Sequence, residues 1–109
     1  MKKFEAVLLY SPDLSSANIN KEDQNFTNNI EKYQGKIINS EDWGLRELSF
    51  NIQNYKKAFY KLYQIEINGV SIQDIKKNLT QNEKILRHLF VSVEEHQQLP
   101  TKMVNNEEK

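Results

Sequence analysis

Two kinds of apolar periodicity follow one another along this chain, and their order limits the folds that it can adopt. Strand-like, β-prone runs cover residues 4–10, 36–52, 58–67 and 85–93. Apolar residues at helical spacing fill the stretches from residue 15 to 35 and from residue 71 to 82. Alternation and helical spacing are the main sequence signals of strands and helices. The sequence therefore predicts the order β-α-β-β-α-β.

This order is the split β-α-β, or ferredoxin-like, plan of α+β proteins. Right-handed connections place both helices on one face of a four-stranded antiparallel sheet. The other face stays open, and an open face is either solvated or covered by a partner.

Local signals mark where the elements begin, bend and end. Trp43-Gly44 interrupts the second strand and predicts a bulge, and residues 54–57 predict a turn. Ser15 or Ser16 is expected to cap the first helix, with Gly35 at its C-cap. Residues 71–74 resemble a capping box with Asp in place of Glu.

Length and composition limit the organisation. The 109 residues fit one domain, predicted over residues 1–95. From residue 96 to 109 the chain is polar and without periodicity, which predicts a disordered C-terminal tail. The N-terminus lacks a signal peptide's apolar core, and no run is long enough for a membrane span, so a cytoplasmic protein is expected.

The sequence offers little for catalysis. It has no cysteine, and its three glycines are isolated, so neither a thiolate site nor a phosphate loop is predicted. His88 and His96 lack metal-ligand spacing, and Glu41 and Asp42 are adjacent, so in a strand they point to opposite faces. We expect no enzyme, no cofactor, no metal and no small-molecule substrate.

Charge suggests that any nucleic-acid contact is local. The 15 basic and 15 acidic residues balance, and a net-neutral chain has a weak field. Only two residues, Arg46 and Arg87, are arginines, against 13 lysines. A guanidinium is planar and stacks on bases, which an ammonium does not, so both arginines are candidate contacts. The lysine pairs at residues 2–3 and 56–57, the second flanked by aromatics, are further candidates.

Several motifs together resemble one family. They are Phe4-Glu5, the block from Trp43 to Ile52 (WGLRELSFNI), residues 60–66, and residues 82–89 with Arg87-His88-Leu89. This pattern is similar to the bacterial small-subunit ribosomal protein numbered six, over about residues 2–93. The chain departs from the family at Ser49-Phe50, at Glu47, where a basic residue is frequent, and at Ala58, where glycine is frequent.

The resemblance implies a ferredoxin-like ribosomal protein on the platform of the small subunit. It implies binding to 16S ribosomal RNA jointly with the small-subunit protein numbered eighteen, without catalysis or cofactor. The expected RNA contacts are Lys2, Lys3, Arg46, Lys56, Lys57, Arg87 and His88. The expected contacts with the companion protein are Trp43, Leu99, Met103 and Val104.

Three alternatives share the fold. An RNA-recognition-motif-like module would bind single-stranded RNA on the open face, although Lys57-Ala58-Phe59-Tyr60 lacks that motif's glycine. A regulatory small-molecule domain would need a pocket with convergent polar groups. Self-association through edge strands is the third. Fold alone does not choose among them.

Overall fold

The predicted element order is the order found in the computed structural model, which describes residues 1–99. The strands are β1 (Lys2–Tyr10), β2 (Lys36–Ile52), β3 (Tyr55–Ile67) and β4 (Ile85–Val93). The helices are α1 (Ser16–Lys32) and α2 (Ile72–Thr80), and a short 3-10 turn (Gly69–Ser71) leads into α2.

The four strands form one sheet in the order β2-β3-β1-β4, and every neighbouring pair is antiparallel. The central strands are therefore β1 and β3, and the edges are β2 and β4. This is the ferredoxin-like α+β arrangement, which confirms the predicted fold class.

One face of the sheet, with both helices, forms the main core. Side chains alternate between the two faces along a strand, so every second residue of β1 and β3 enters this core. Its buried members are Phe4, Ala6, Leu8, Tyr10, Phe26, Ile30, Tyr63, Ile65, Ile67, Ile72, Ile75, Leu79 and Ile85. Because residues of α1 and α2 belong to the same cluster, both helices lie on this face.

Strand β2 is one long, irregular strand. Its pairing with β3 shifts register between Asp42 and Gly44, and Gly44 has a φ of 77°. A positive φ is accessible to glycine at little cost, which explains why this residue stands at the irregularity. The predicted bulge at Trp43-Gly44 is confirmed.

The predicted turn over residues 54–57 is wrong, because the hairpin turns earlier. Ile52 ends β2 and Tyr55 begins β3, which leaves Gln53 and Asn54 with φ values of 51° and 71°. Two successive residues at positive φ match the right-handed twist of the flanking strands. Lys57 is consequently a strand residue paired with Glu47.

Helix α1 ends in a Schellman motif that uses a different residue from the one predicted. Gln34, with a φ of 65°, takes the left-handed position, and its N–H donates to the Glu31 carbonyl at 2.9 Å. The Gly35 N–H donates to the Ile30 carbonyl at 3.0 Å. The expectation that Gly35 is the C-cap is therefore wrong, whereas Ser15 caps the N-terminus as predicted, through the Asn18 N–H.

Gly35 is required for space. A Cβ at this position would lie 2.8 Å from Ile67 Cγ1 and 2.9 Å from Ile67 Cβ. Ile67 is fully buried and cannot move aside without disturbing the core. Gly35, the residue before β2, thus lies against Ile67 at the end of β3 at a distance that only glycine allows.

We expect Gly35→Ala to lower the free energy of unfolding by about 1–3 kcal/mol, the usual cost of overpacking a core. Gly69→Ala is the matched control, since its Cβ would meet Lys2 Cδ at an ordinary 3.6 Å. Urea unfolding of both variants measures the difference. Equal free energies of unfolding for the two variants would show that the Ile67 side chain can move aside without destabilising the core.

The predicted capping box at residues 71–74 is also wrong. Ser71 makes no side-chain cap hydrogen bond, because the preceding 3-10 turn leaves it with a helical ψ of −17°. Asn68 caps that turn, and its Oδ1 accepts from the Val70 N–H at 3.1 Å.

A buried polar network that the sequence did not reveal ties α1 to the sheet. The Tyr10 and Tyr63 hydroxyls lie 2.7 Å apart, and the Tyr63 hydroxyl donates to Asp23 Oδ1 at 2.6 Å. Lys61 Nζ lies 2.9 Å from the same carboxylate oxygen. Burial raises the pKa of both tyrosines above its ordinary value, so both hydroxyls keep their protons.

Candidate nucleic-acid and partner interface

The helix-free side of the sheet, here called the open face, carries a second, smaller apolar cluster. Its buried members are Leu9, Ala58 and Leu86, and Val7, Leu48, Ile52, Tyr55 and Tyr60 pack against them. These side chains come from all four strands. The open face is therefore partly apolar and has no helix to cover it.

Its most exposed apolar residues lie on β4 and near the β2–β3 turn. Leu89 and Val91, here called the apolar strip, are 56% and 52% exposed, and Phe50 is 66% exposed. Leu89 pairs with Val7 in β1, which places the strip on the open face of an edge strand. Such grouped exposure is typical of a surface that binds another molecule.

Arg87 lies at the same end of the open face as the β2–β3 turn. It pairs with Leu9 in β1, and it lines a shallow pocket with Leu48, Phe50 and Tyr60. The Arg87 side chain is exposed. A guanidinium beside an aromatic and aliphatic surface is suited to stacking on a base.

Arg46 is held at this end by Trp43. Its Nε donates to the Trp43 carbonyl at 3.1 Å. The Trp43 Nε1–H donates to Glu41 Oε1 at 2.6 Å, and its ring stacks on Tyr60 with centroids 6.4 Å apart and planes at 24°. Trp43 therefore has a positioning role besides any contact with a partner.

The strand register brings the two arginines to one end. Arg87 pairs with Leu9, Leu9 with Tyr60, and Tyr60 with Gly44, two residues from Arg46. Adjacent strands lie about 4.8 Å apart, so the arginines are separated by three strand spacings, or roughly 15 Å. We call this end the arginine end.

The two lysine pairs do not join into one patch. Lys57 pairs with Glu47 near the arginine end, whereas Lys3 pairs with Glu66, nine residues further along β3. At about 3.4 Å per residue this separates the pairs by roughly 30 Å. Lys2 pairs with Ile67 of the main core, so Lys2 and Lys3 also point to opposite faces.

His88 follows Arg87 but faces the helices. Its Nε2 lies 3.3 Å from the Thr80 hydroxyl of α2, and its ring meets Phe90 edge-on at 6.1 Å. Burial, with the positive charge of Lys76, lowers the pKa of His88 below its usual value, so the ring is neutral at neutral pH. His88 therefore lies on the opposite face of the sheet from the two arginines.

The predicted tail is described only at its beginning. His96 and Gln97 contact Glu5 on β1, and Leu99 is half-buried. Met103 and Val104, expected to contact the companion protein, lie outside the described residues. The boundary at residue 95 stays a prediction.

Residues 1–99 contain neither a candidate metal site nor a candidate membrane-spanning helix. No group of three or more His, Cys, Asp or Glu side chains able to hold a metal occurs in this part of the chain. Within the same residues, no helix is long and apolar enough to cross a membrane.

Comparisons with known proteins agree with one another. A family model described as ribosomal protein S6 matches residues 3–92. Small ribosomal subunit protein bS6 of Orientia tsutsugamushi is 33% identical over 107 residues, covering 98% of this chain and 91% of that protein. The bS6 protein of Zymomonas mobilis is 33% identical over 104 residues, covering 95% of this chain and 84% of that protein.

A solved structure supports the fold. The crystal structure of 30S ribosomal protein S6 from Thermotoga maritima superposes with a TM-score of 0.80 at 17% identity. The match covers 84% of this chain and 87% of that one.

Proposed function

Because this chain belongs to the ribosomal protein S6 family, we propose that it binds 16S ribosomal RNA on the platform of the small subunit, jointly with ribosomal protein S18. Family membership itself makes the chain a protein of the small ribosomal subunit, associated with ribosomes in the cytoplasm. The family is one of ribosomal proteins, not of enzymes.

The observation that carries the RNA-binding proposal is the arginine end. Arg46 and Arg87, the only arginines, come from strands at opposite edges of the sheet and lie at one end of the same face. Tyr60 of β3 lies on a strand between them, and the ring of Trp43 stacks on it. Guanidinium and aromatic planes suit unstacked bases and phosphates, as in other RNA-binding surfaces. Lys56 adds an exposed positive charge nearby.

The exposed apolar residues support a protein partner beside the RNA. Leu89, Val91 and Phe50 are each more than half exposed, so they contribute little to the stability of the isolated chain. A companion protein that covers the apolar strip would bury that surface and gain from the hydrophobic effect. We assign Leu89 and Val91 to the companion, with Leu99 as a further contact from the C-terminal segment.

We expect the isolated chain to bind the RNA weakly, and the chain with S18 to bind it tightly. A chain with balanced charge releases few counterions, and counterion release supplies most non-specific RNA affinity. Titrating a 16S platform fragment at moderate salt, with and without S18, measures the difference.

Nanomolar binding by the chain alone would contradict joint binding. It would favour the RNA-recognition-motif-like alternative, in which the open face binds single-stranded RNA unaided. An unstructured oligonucleotide distinguishes the two cases, because only that alternative predicts tight binding to it without S18.

A further inference from the structure

The chain's own C-terminal segment is bound to the open face by a set of hydrogen bonds centred on Glu5. The backbone N–H of Gln97 donates to Glu5 Oε2 at 3.0 Å, and its side-chain Nε2 donates to Glu5 Oε1 at 2.8 Å. A single residue thus satisfies both carboxylate oxygens. Hydrogen bonds to a charged group are among the strong ones in proteins.

Gln64 completes the site from the neighbouring strand. Glu5 and Gln64 are direct partners across β1 and β3. Gln64 Nε2 donates to Glu5 Oε2 at 3.1 Å and to the Gln97 carbonyl at 2.7 Å. The pair therefore offers one anionic acceptor and one carboxamide donor, which together match the N–H groups and carbonyl of a bound peptide residue.

His96 fills the adjoining position. Its Nδ1 lies 3.5 Å from Glu5 Oε2, and both side chains are only 12% exposed. Burying a carboxylate is costly unless it is paired and hydrogen-bonded. The donors of Gln97 and Gln64 offset that cost, so the carboxylate and the segment depend on each other.

The exposed fractions of the two cross-strand neighbours of Glu5 show which part of the open face the C-terminal segment covers. Gln64 in β3 is 2% exposed, although it lies on the helix-free side of the sheet. Val91 in β4, which pairs with Glu5 from the other side, is 52% exposed. The segment therefore covers the β3 side of Glu5 and leaves the apolar strip of β4 free.

We propose that Glu5 and Gln64 form an internal docking site for His96 and Gln97, and that docking pre-orders the C-terminal segment for the companion protein. The bound residues are called the strap. The docking is inferred from these hydrogen bonds and exposed fractions, whereas the role toward the companion protein rests on the proposed function. A segment already fixed on the sheet loses less conformational freedom when a partner binds to it, which favours affinity. Glu5 and Gln64 are, in this sense, positioning residues.

The docking is tested in the full chain with two independent variants. Glu5→Ala removes the acceptor, and Gln97→Pro removes the backbone donor without changing any strand. In Glu5→Ala, Gln64 loses its bond to the carboxylate, and in Gln97→Pro it loses its bond to the Gln97 carbonyl when the segment is released. In both variants, hydrogen exchange of the Gln64 carboxamide should quicken roughly tenfold or more. The backbone amide of Tyr63 should stay unchanged. Gln98→Ala, an exposed neighbour, is the matched control.

Unchanged Gln64 exchange in Gln97→Pro would overturn the docking site. If Glu5→Ala also quickens the Tyr63 amide, that variant has loosened the sheet, and Gln97→Pro alone decides. Faster Gln64 exchange in Gln97→Pro, with Tyr63 unchanged, supports the site.

Affinity for S18 tests the second step. Gln97→Pro should weaken S18 binding several-fold, whereas Gln98→Ala should not. A released strap with unchanged S18 affinity would overturn the pre-ordering role and leave the docking site standing. Failure of the wild-type chain to bind S18 would instead contradict the proposed function, which the exchange measurement does not depend on.

Discussion

Leu8→Ala should lower the free energy of unfolding by about 2–5 kcal/mol, the range for deleting a buried leucine side chain. Leu8 is fully buried in the main core between the sheet and the helices. Leu89→Ala, the same substitution on the open face, should cost less than about 0.5 kcal/mol, because an exposed side chain leaves no cavity.

The pair of variants separates folding from binding. Urea unfolding gives the two stabilities, and titration with S18 gives the two affinities at a temperature where both variants are folded. Leu89→Ala should weaken S18 binding while Leu8→Ala, once folded, should not. If Leu89→Ala destabilises the chain as much as Leu8→Ala, the apolar strip belongs to the core and is not an interface.

Replacing both arginines with lysine should weaken assembly of the RNA–protein complex by about 2–6 kcal/mol, or about 1–3 kcal/mol for each arginine. Lysine keeps the charge but loses the planar fork that bonds bidentately and stacks. At Arg46 it also loses the Nε donor that reaches the Trp43 carbonyl.

Filter binding with S18 present measures this effect, and Lys77→Ala, an exposed position on α2, is the control. Because Arg→Lys conserves charge, the salt dependence of binding should keep its slope while the affinity falls. Wild-type affinity in the double variant would show that neither guanidinium group is needed for RNA binding, and would contradict the proposed stacking and bidentate contacts.

The order of the elements and much of their extent can be predicted from the amino-acid sequence. Strand β4 runs over residues 85–93 as predicted, and the interruption at Trp43-Gly44 is where β2 shifts register. These features are local, since alternation, helical spacing and glycine's access to positive φ act within a few residues. Composition, in contrast, singled out Arg46 and Arg87 as the chain's two arginines.

Local signals assigned a capping role to two residues that do not have it. Gly35 looked like a helix cap because it follows a helix, whereas the structure requires it for the approach of Ile67. Ser71 looked like a cap because the 3-10 turn in front of α2 leaves no separate trace in the sequence.

Which candidate residues share a surface depends on how the strands pair, and this pairing is seen only in the folded chain. Cross-strand register brings Arg46 and Arg87 to one end of the open face and places the two lysine pairs far apart. It also places His88 on the face that carries the helices. The strap depends on the hydrogen bond between Gln97 and Glu5, which are 92 residues apart in the sequence. Such a contact forms only after the sheet has brought distant strands together, so no pattern within a short stretch of sequence contains it.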